Sequence, residues 1–204
     1  MKTFLISFFL VFILTGITLS QTTYENLTKG EVLTDQLPIR DVRKTAVWFN
    51  MGWNGIVGFG PVVSTYPAPK IAIDAGIGLS SEGVKLSGRG RYLFLTKNFT
   101  PFAGLGFMYG FGSKSSFERT DSYNSNNDPY WIKINDSPFL QIVGGFEYMA
   151  KKGFFTLFNI GYAILLKDTN YEVTSGFQSK EMKRIDDAAF GSGIVIEGGI
   201  GFAF

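Results

Sequence analysis

The stretch that most constrains this chain is its last: residues 193 to 204 read Gly-Ile-Val-Ile-Glu-Gly-Gly-Ile-Gly-Phe-Ala-Phe. Counting back from Phe204 in twos gives Phe202, Ile200, Gly198, Ile196 and Ile194, a face that is apolar and aromatic. The interleaved residues, Ala203, Gly201, Gly199, Glu197, Val195 and Gly193, are small apart from one carboxylate. Successive side chains of a β-strand point to opposite faces, so such a segment has one greasy wall and one narrow, partly charged wall. That combination fits a strand with lipid on its outer face and a confined polar interior behind it.

The same two-residue period starts at Thr45 and recurs. Val47, Phe49, Met51 and Trp53 alternate with Trp48, Asn50 and Gly52, and Asn54-Gly55 then predicts a tight hairpin. A return strand over 56–66 puts Val57, Phe59, Pro61 and Val63 outward and Gly58, Gly60, Val62 and Ser64 inward; Pro61 predicts a bulge or local break. Further strands are predicted over 70–79, 84–95, 100–111, 138–148, 154–166 and 193–204. In the fourth, Val84, Leu86, Tyr92 and Phe94 oppose Lys85, Ser87, Arg89 and Arg91. These eight segments predict an all-β fold: a closed, up-and-down antiparallel transmembrane β-barrel.

Composition limits the alternatives. The chain has 204 residues, one domain's length, and neither cysteine nor histidine. Residues 1–20 read as a cleaved signal peptide: Lys2, an apolar run from Phe4 to Leu14, then Thr18 and Ser20 before Gln21. Residues 21–44 read as a polar N-terminal extension and 45–204 as the barrel domain. Beyond the signal the chain holds no apolar run long enough to span a bilayer as a helix. With Lys2 removed from the 19 basic residues the balance against 17 acidic ones is near neutral, so no basic field favours nucleic acid. The missing cysteines exclude a disulfide framework, and the missing histidines remove the usual general base and zinc ligands.

Two polar stretches, 112–136 and 167–192, separate strands. Within a compact soluble domain, loops of that length would count against the strand assignment; on an outer-membrane barrel, long outer loops and short inner turns are expected. The short turns near Pro67, Lys97 and Lys151 then share a side with both termini. Tyr66, Phe94, Phe99, Tyr148, Phe154 and Phe204 gather there as an expected aromatic girdle.

The signal peptide, alternating strands, long outer loops and terminal Phe204 resemble the small outer-membrane barrels of the OmpX/OmpA or OmpW-like type. The glycine-rich hairpins resemble outer membrane β-barrel domain proteins of the Bacteroidota. The resemblance implies a cell outer membrane location, a monomer, and contact with outer-membrane lipid and lipopolysaccharide. It also implies that Phe202 and Phe204 form a signal read by the barrel assembly machinery.

The inward face is where charged chemistry collects. Asp74, Lys85, Arg89, Arg91, Glu147, Asn159 and Glu197 are expected to form a lumen polar network, because an eight-stranded barrel is just wide enough for its own side chains and charges there must pair. The glycine pairs Gly58/Gly60, Gly76/Gly78, Gly104/Gly106 and Gly199/Gly201 open no helix and precede no Lys-Ser/Thr, so they read as room for neighbours and not as phosphate loops. Asp121, Asn124, Asn126, Asn127 and Asp128 lack the spacing of a calcium loop and read as a solvated loop. No catalytic constellation, metal or cofactor is expected. The expected role is structural or surface-interacting, through the outer loops. One alternative is a narrow channel for small or hydrophobic solutes, which requires a gap near Arg89, Arg91 and Glu197. The other is a secreted lipocalin-like binder, which requires the opposite polarity across the wall.

Overall fold

The computed structural model describes residues 37–113, 115–123 and 128–204. The expected signal peptide and most of the expected extension lie outside those residues. The described chain starts with a single helical turn, α1 (Ile39–Val42). Eight long strands follow: β1 (Thr45–Trp53), β2 (Phe59–Ala68), β3 (Ile71–Ser80), β4 (Gly83–Leu93), β5 (Phe99–Gly110), β8 (Ser137–Met149), β9 (Phe154–Leu165) and β11 (Gly193–Ala203). Each pairs antiparallel with its neighbours, in the order β1-β11-β9-β8-β5-β4-β3-β2, and β2 returns to β1 to close the barrel. The seam between β1 and β11 runs from Ala46 opposite Ala203 to Trp53 opposite Ile196.

The alternation read from sequence holds around the wall. Trp48, Val62, Phe102, Met108, Val143, Leu157 and Val195 point inward and are buried, whereas Phe49, Met51, Leu105, Phe107, Ile142, Phe158 and Ile200 point outward and are exposed. Details at the strand ends and at Pro61 differ. Asn54-Gly55 does not make a two-residue hairpin: the connection runs from Asn54, at φ 50°, through Gly58, at φ 73°, and β2 begins only at Phe59. Within it Ile56 and Val57 fold into the barrel mouth and are fully buried, so Val57 is inward and not outward. Pro61 causes no bulge: pairing with β3 lapses locally at Gly60 and Pro61, but β2 keeps one register from Phe59 to Thr65, and the shift falls between Thr65 and Ala68, around Pro67. Tyr66 is a further correction. It shares parity with Val62 and Ser64, points inward and is 1% exposed, leaving Phe94, Phe99, Tyr148, Phe154 and Phe204 on the outside.

The two polar stretches are folded, not loose. The first carries β6 (Phe117–Thr120) and β7 (Pro129–Ile134); the second carries β10 (Tyr171–Ser175) and α2 (Lys180–Phe190). Strands β10, β7 and β6 form a separate three-stranded antiparallel sheet. Its inner face buries Tyr130, Ile132, Ile134 and Tyr171 against Met182 and Phe190 of α2. Both stretches leave the barrel at the end away from α1, so the sheet and helix form a cap at that end, tied to the β8 and β9 side.

Candidate functional site

The polar lumen begins with β4, where Lys85, Arg89 and Arg91 alternate inward. Long side chains need space in a narrow barrel, and the register supplies it: Gly104 lies opposite Arg91 and Gly106 opposite Arg89. The same pairing recurs where Glu197 faces Gly52 and where Asn159 faces Gly145.

Two linked clusters result. Asp74 accepts from Arg89 Nε at 2.9 Å and from Arg91 Nε at 2.8 Å. Ser64 donates to it at 2.7 Å, while the same hydroxyl accepts from Trp48 Nε1 at 2.8 Å. Arg89 reaches on to Glu197, and Arg91 to Glu147. Glu197 also accepts from Asn159 Nδ2 at 2.6 Å and from the backbone amide of Ile56 at 2.5 Å, which ties the inserted mouth segment to the network. Glu147 accepts from Tyr66 Oη at 3.0 Å. The Arg91 guanidinium lies 4.9 Å from the centre of the Phe102 ring, a stacked cation–π contact.

Arg40 enters from the opposite end. Its guanidinium is fully buried, donates to Glu147 at 2.8 Å and to the carbonyl of Lys97 at 2.8 Å, and so makes α1 a cork for the inner mouth. Arg43 beside it holds the rim together by bonds to the carbonyls of Lys151 and Ala203. Near the outer mouth Lys85 pairs with Glu82 at 3.0 Å and sits 5.4 Å from the centre of the Phe139 ring. Burial pushes the Glu82 carboxyl up, but the Lys85 ammonium and the Ser80 and Ser81 hydroxyls outweigh it, and the group ends below its usual range. Among the described residues of the barrel the buried acids are Asp74, Glu82, Glu147 and Glu197 and the buried bases Arg40, Lys85, Arg89 and Arg91. Charge balances one for one, as a low-dielectric interior demands.

The seven residues expected in the lumen are therefore all inward and buried. Six of them, without Lys85, join the linked clusters; Lys85 pairs separately. Glu82 and Arg40 escape the sequence reading, and Ser64, Trp48 and Tyr66 fall outside the expected network, although the sequence places Ser64 and Trp48 on the inward face. Parity in β1 and β2 was the available signal for the last three, whereas Glu82 sits in a turn and Arg40 before the first strand.

The cap has its own buried polar centre. Asp186 accepts from Tyr130 at 2.5 Å, from Arg119 at 2.7 Å and from Gln178 at 2.7 Å. Asp121, expected in a solvated loop, is buried and accepts from the amide and hydroxyl of Ser179, joining the two polar stretches. Asn124, Asn126 and Asn127 lie outside the described residues. Asn170 locks cap to barrel, donating to Ser137 Oγ at 3.1 Å and to the carbonyl of Phe190 at 2.5 Å. Beside it a polar cleft of about 360 Å³ opens to solvent between Lys167, Thr169, Lys183, Asp187 and Ser192.

No family model matches the chain, and no curated protein matches it. Among solved structures it is similar to the N-terminal β-barrel domain of Pseudomonas aeruginosa OprF, 13% identical with a TM-score of 0.45, over 79% of this chain and 96% of that one. It is also similar to Acinetobacter baumannii CarO, 12% identical with a TM-score of 0.32, over 82% of this chain and 98% of that one.

Proposed function

We propose that this chain is an integral outer-membrane β-barrel with a structural or surface-interaction role and no catalysis, its folded cap serving as the contact surface. The observation that carries the reading is the inverted polarity of the wall: apolar side chains project outward from all eight barrel strands, while four acids and four bases are sealed inside. In water that exterior would be a continuous apolar belt, far larger than the roughly 300–600 Å² patch found on soluble monomers. In a bilayer the same belt is matched to its solvent. A lipocalin-like binder needs the reverse arrangement. The channel reading needs space where Arg89, Arg91 and Glu197 are instead ion-paired across the lumen.

Export through residues 1–20, a monomeric state, contact with lipopolysaccharide and recognition of Phe202 and Phe204 by the barrel assembly machinery belong to the same proposal. So does kinship with the OmpX/OmpA-type, OmpW-like or Bacteroidota barrels. Both aromatics are exposed on the outer wall, where another protein can reach them. The test is gel mobility of the outer-membrane fraction with and without boiling in detergent. A mobility shift with resistance to carbonate extraction is expected; soluble recovery with no shift overturns the reading.

A further inference from the structure

The near-neutral net charge conceals a strong polarisation along the barrel axis. At the outer end, over 111–136 and 166–192, the described residues include nine acidic side chains against six basic ones. At the inner end the balance reverses. Lys44, Lys70, Lys97, Lys151 and Lys152 are all exposed there; Glu147 is sealed inside by Arg40 and Arg91, which leaves Asp41 as the one acidic side chain among the described surface residues of that end.

The placement of these lysines is regular. Lys44 precedes β1 at the seam, Lys70 lies in the β2–β3 turn, Lys97 in the β4–β5 connection, and Lys151 and Lys152 in the β8–β9 turn. Given the strand order, these four positions cover every inner corner of the barrel. Each lies beside outward apolar side chains: Ile71 next to Lys70, Phe94 and Phe99 around Lys97, Tyr148 and Phe154 around Lys152, Phe202 and Phe204 across the seam from Lys44. Lysine stems can lie along such apolar surface while the ammonium reaches the headgroup layer, and clustered lysines at that depth attract anionic lipid.

We propose that the inner rim is a docking ring for the phosphodiester headgroups of anionic phospholipids in the leaflet that the short turns face. This rests on the membrane reading above, and it goes further by naming the leaflet and the lipid class.

The test uses the full chain without its signal, refolded into phosphatidylcholine vesicles that contain trace spin-labelled phosphatidylglycerol or spin-labelled phosphatidylcholine. Electron spin resonance reads the fraction of each label immobilised at the protein. Expected is about a threefold or greater preference for phosphatidylglycerol at low ionic strength, falling towards none at high salt. Lys44→Gln, Lys70→Gln, Lys97→Gln, Lys151→Gln and Lys152→Gln together should abolish the preference, whereas the same five changed to Arg should keep it. Lys167→Gln, Lys180→Gln and Lys183→Gln in the cap should leave it intact. Inorganic phosphate should reduce it no more than chloride of equal ionic strength; a specific effect would make this a site for free phosphate and overturn the lipid assignment. A heat-shifted barrel without preference, or a preference that survives the five Gln changes, also overturns it. A chain that gives no heat-shifted barrel removes the membrane reading and this inference with it, and the gel separates that outcome from lost selectivity in a folded barrel.

Discussion

Asp74 is the residue on which the lumen turns, since it alone touches both arginines and, through Ser64, the Trp48 indole. Removing one member of a buried ion pair strands the other without water, at about 3–5 kcal/mol. Asp74→Ala should therefore lower the urea resistance of the refolded barrel by that order, read as the midpoint of the unboiled gel shift; a loss under about 1 kcal/mol would mean that Arg89 and Arg91 find other partners. Glycine matters in the same lumen for reasons of space. A methyl group at Gly199 would fall on the Trp48 ring, which its bond to Ser64 holds in place.

Among the elements, α2 shows how a polar stretch becomes structure. Met182, Asp186 and Phe190 recur every four residues and form the buried stripe, with Asp186 satisfied by Arg119, Tyr130 and Gln178. Ser179 caps the helix, accepting from Met182 N at 3.2 Å, and the same residue is held by Asp121. Losing an N-cap hydroxyl costs about 1 kcal/mol. Ser179→Ala should accelerate proteolysis of the cap in refolded vesicles and leave the heat-dependent shift unchanged. Equal cleavage of the variant and the parent would show that Asp121 and the sheet hold the segment without the cap.

For the whole molecule, cap and barrel are two separate cores, and pH distinguishes them. Burial pushes the Tyr130 and Tyr171 phenols above their ordinary 10.0, and hydrogen bonds to the Asp186 and Asp187 carboxylates push in the same direction. A raised folded-state value means that the neutral phenol is favoured by folding. The contribution is complete below the unfolded value and is lost as pH rises through the folded one. Alkaline titration past the ordinary phenol range should expose the cap to protease while the barrel keeps its unboiled mobility, and Tyr130→Phe with Tyr171→Phe should remove that dependence. Loss of the barrel first would contradict it.

The sequence by itself determined the eight strands, the face that most strand side chains take and the charged interior, because pleat alternation is a local property and the outward face of each barrel strand carries a nearly unbroken apolar record. Tyr66 was legible by the same parity, though grouping it with the rim aromatics hid it. What the tertiary structure decided depends on contacts distant in sequence. Arg40 meets Glu147 across 107 positions, and nothing near Arg40 announces a buried guanidinium. The Asn54-Gly55 signal gave way to a longer insertion because the Glu197 carboxylate, 141 positions from Ile56, accepts its amide. The cap read as loop because neither polar stretch has a core alone: β7 finds its second neighbour in β10, with Tyr171 opposite Ile134, and α2 covers the face those strands share. Two segments that bury nothing separately become ordered once the barrel brings their ends together, since closure then costs little and the shared apolar face is removed from water.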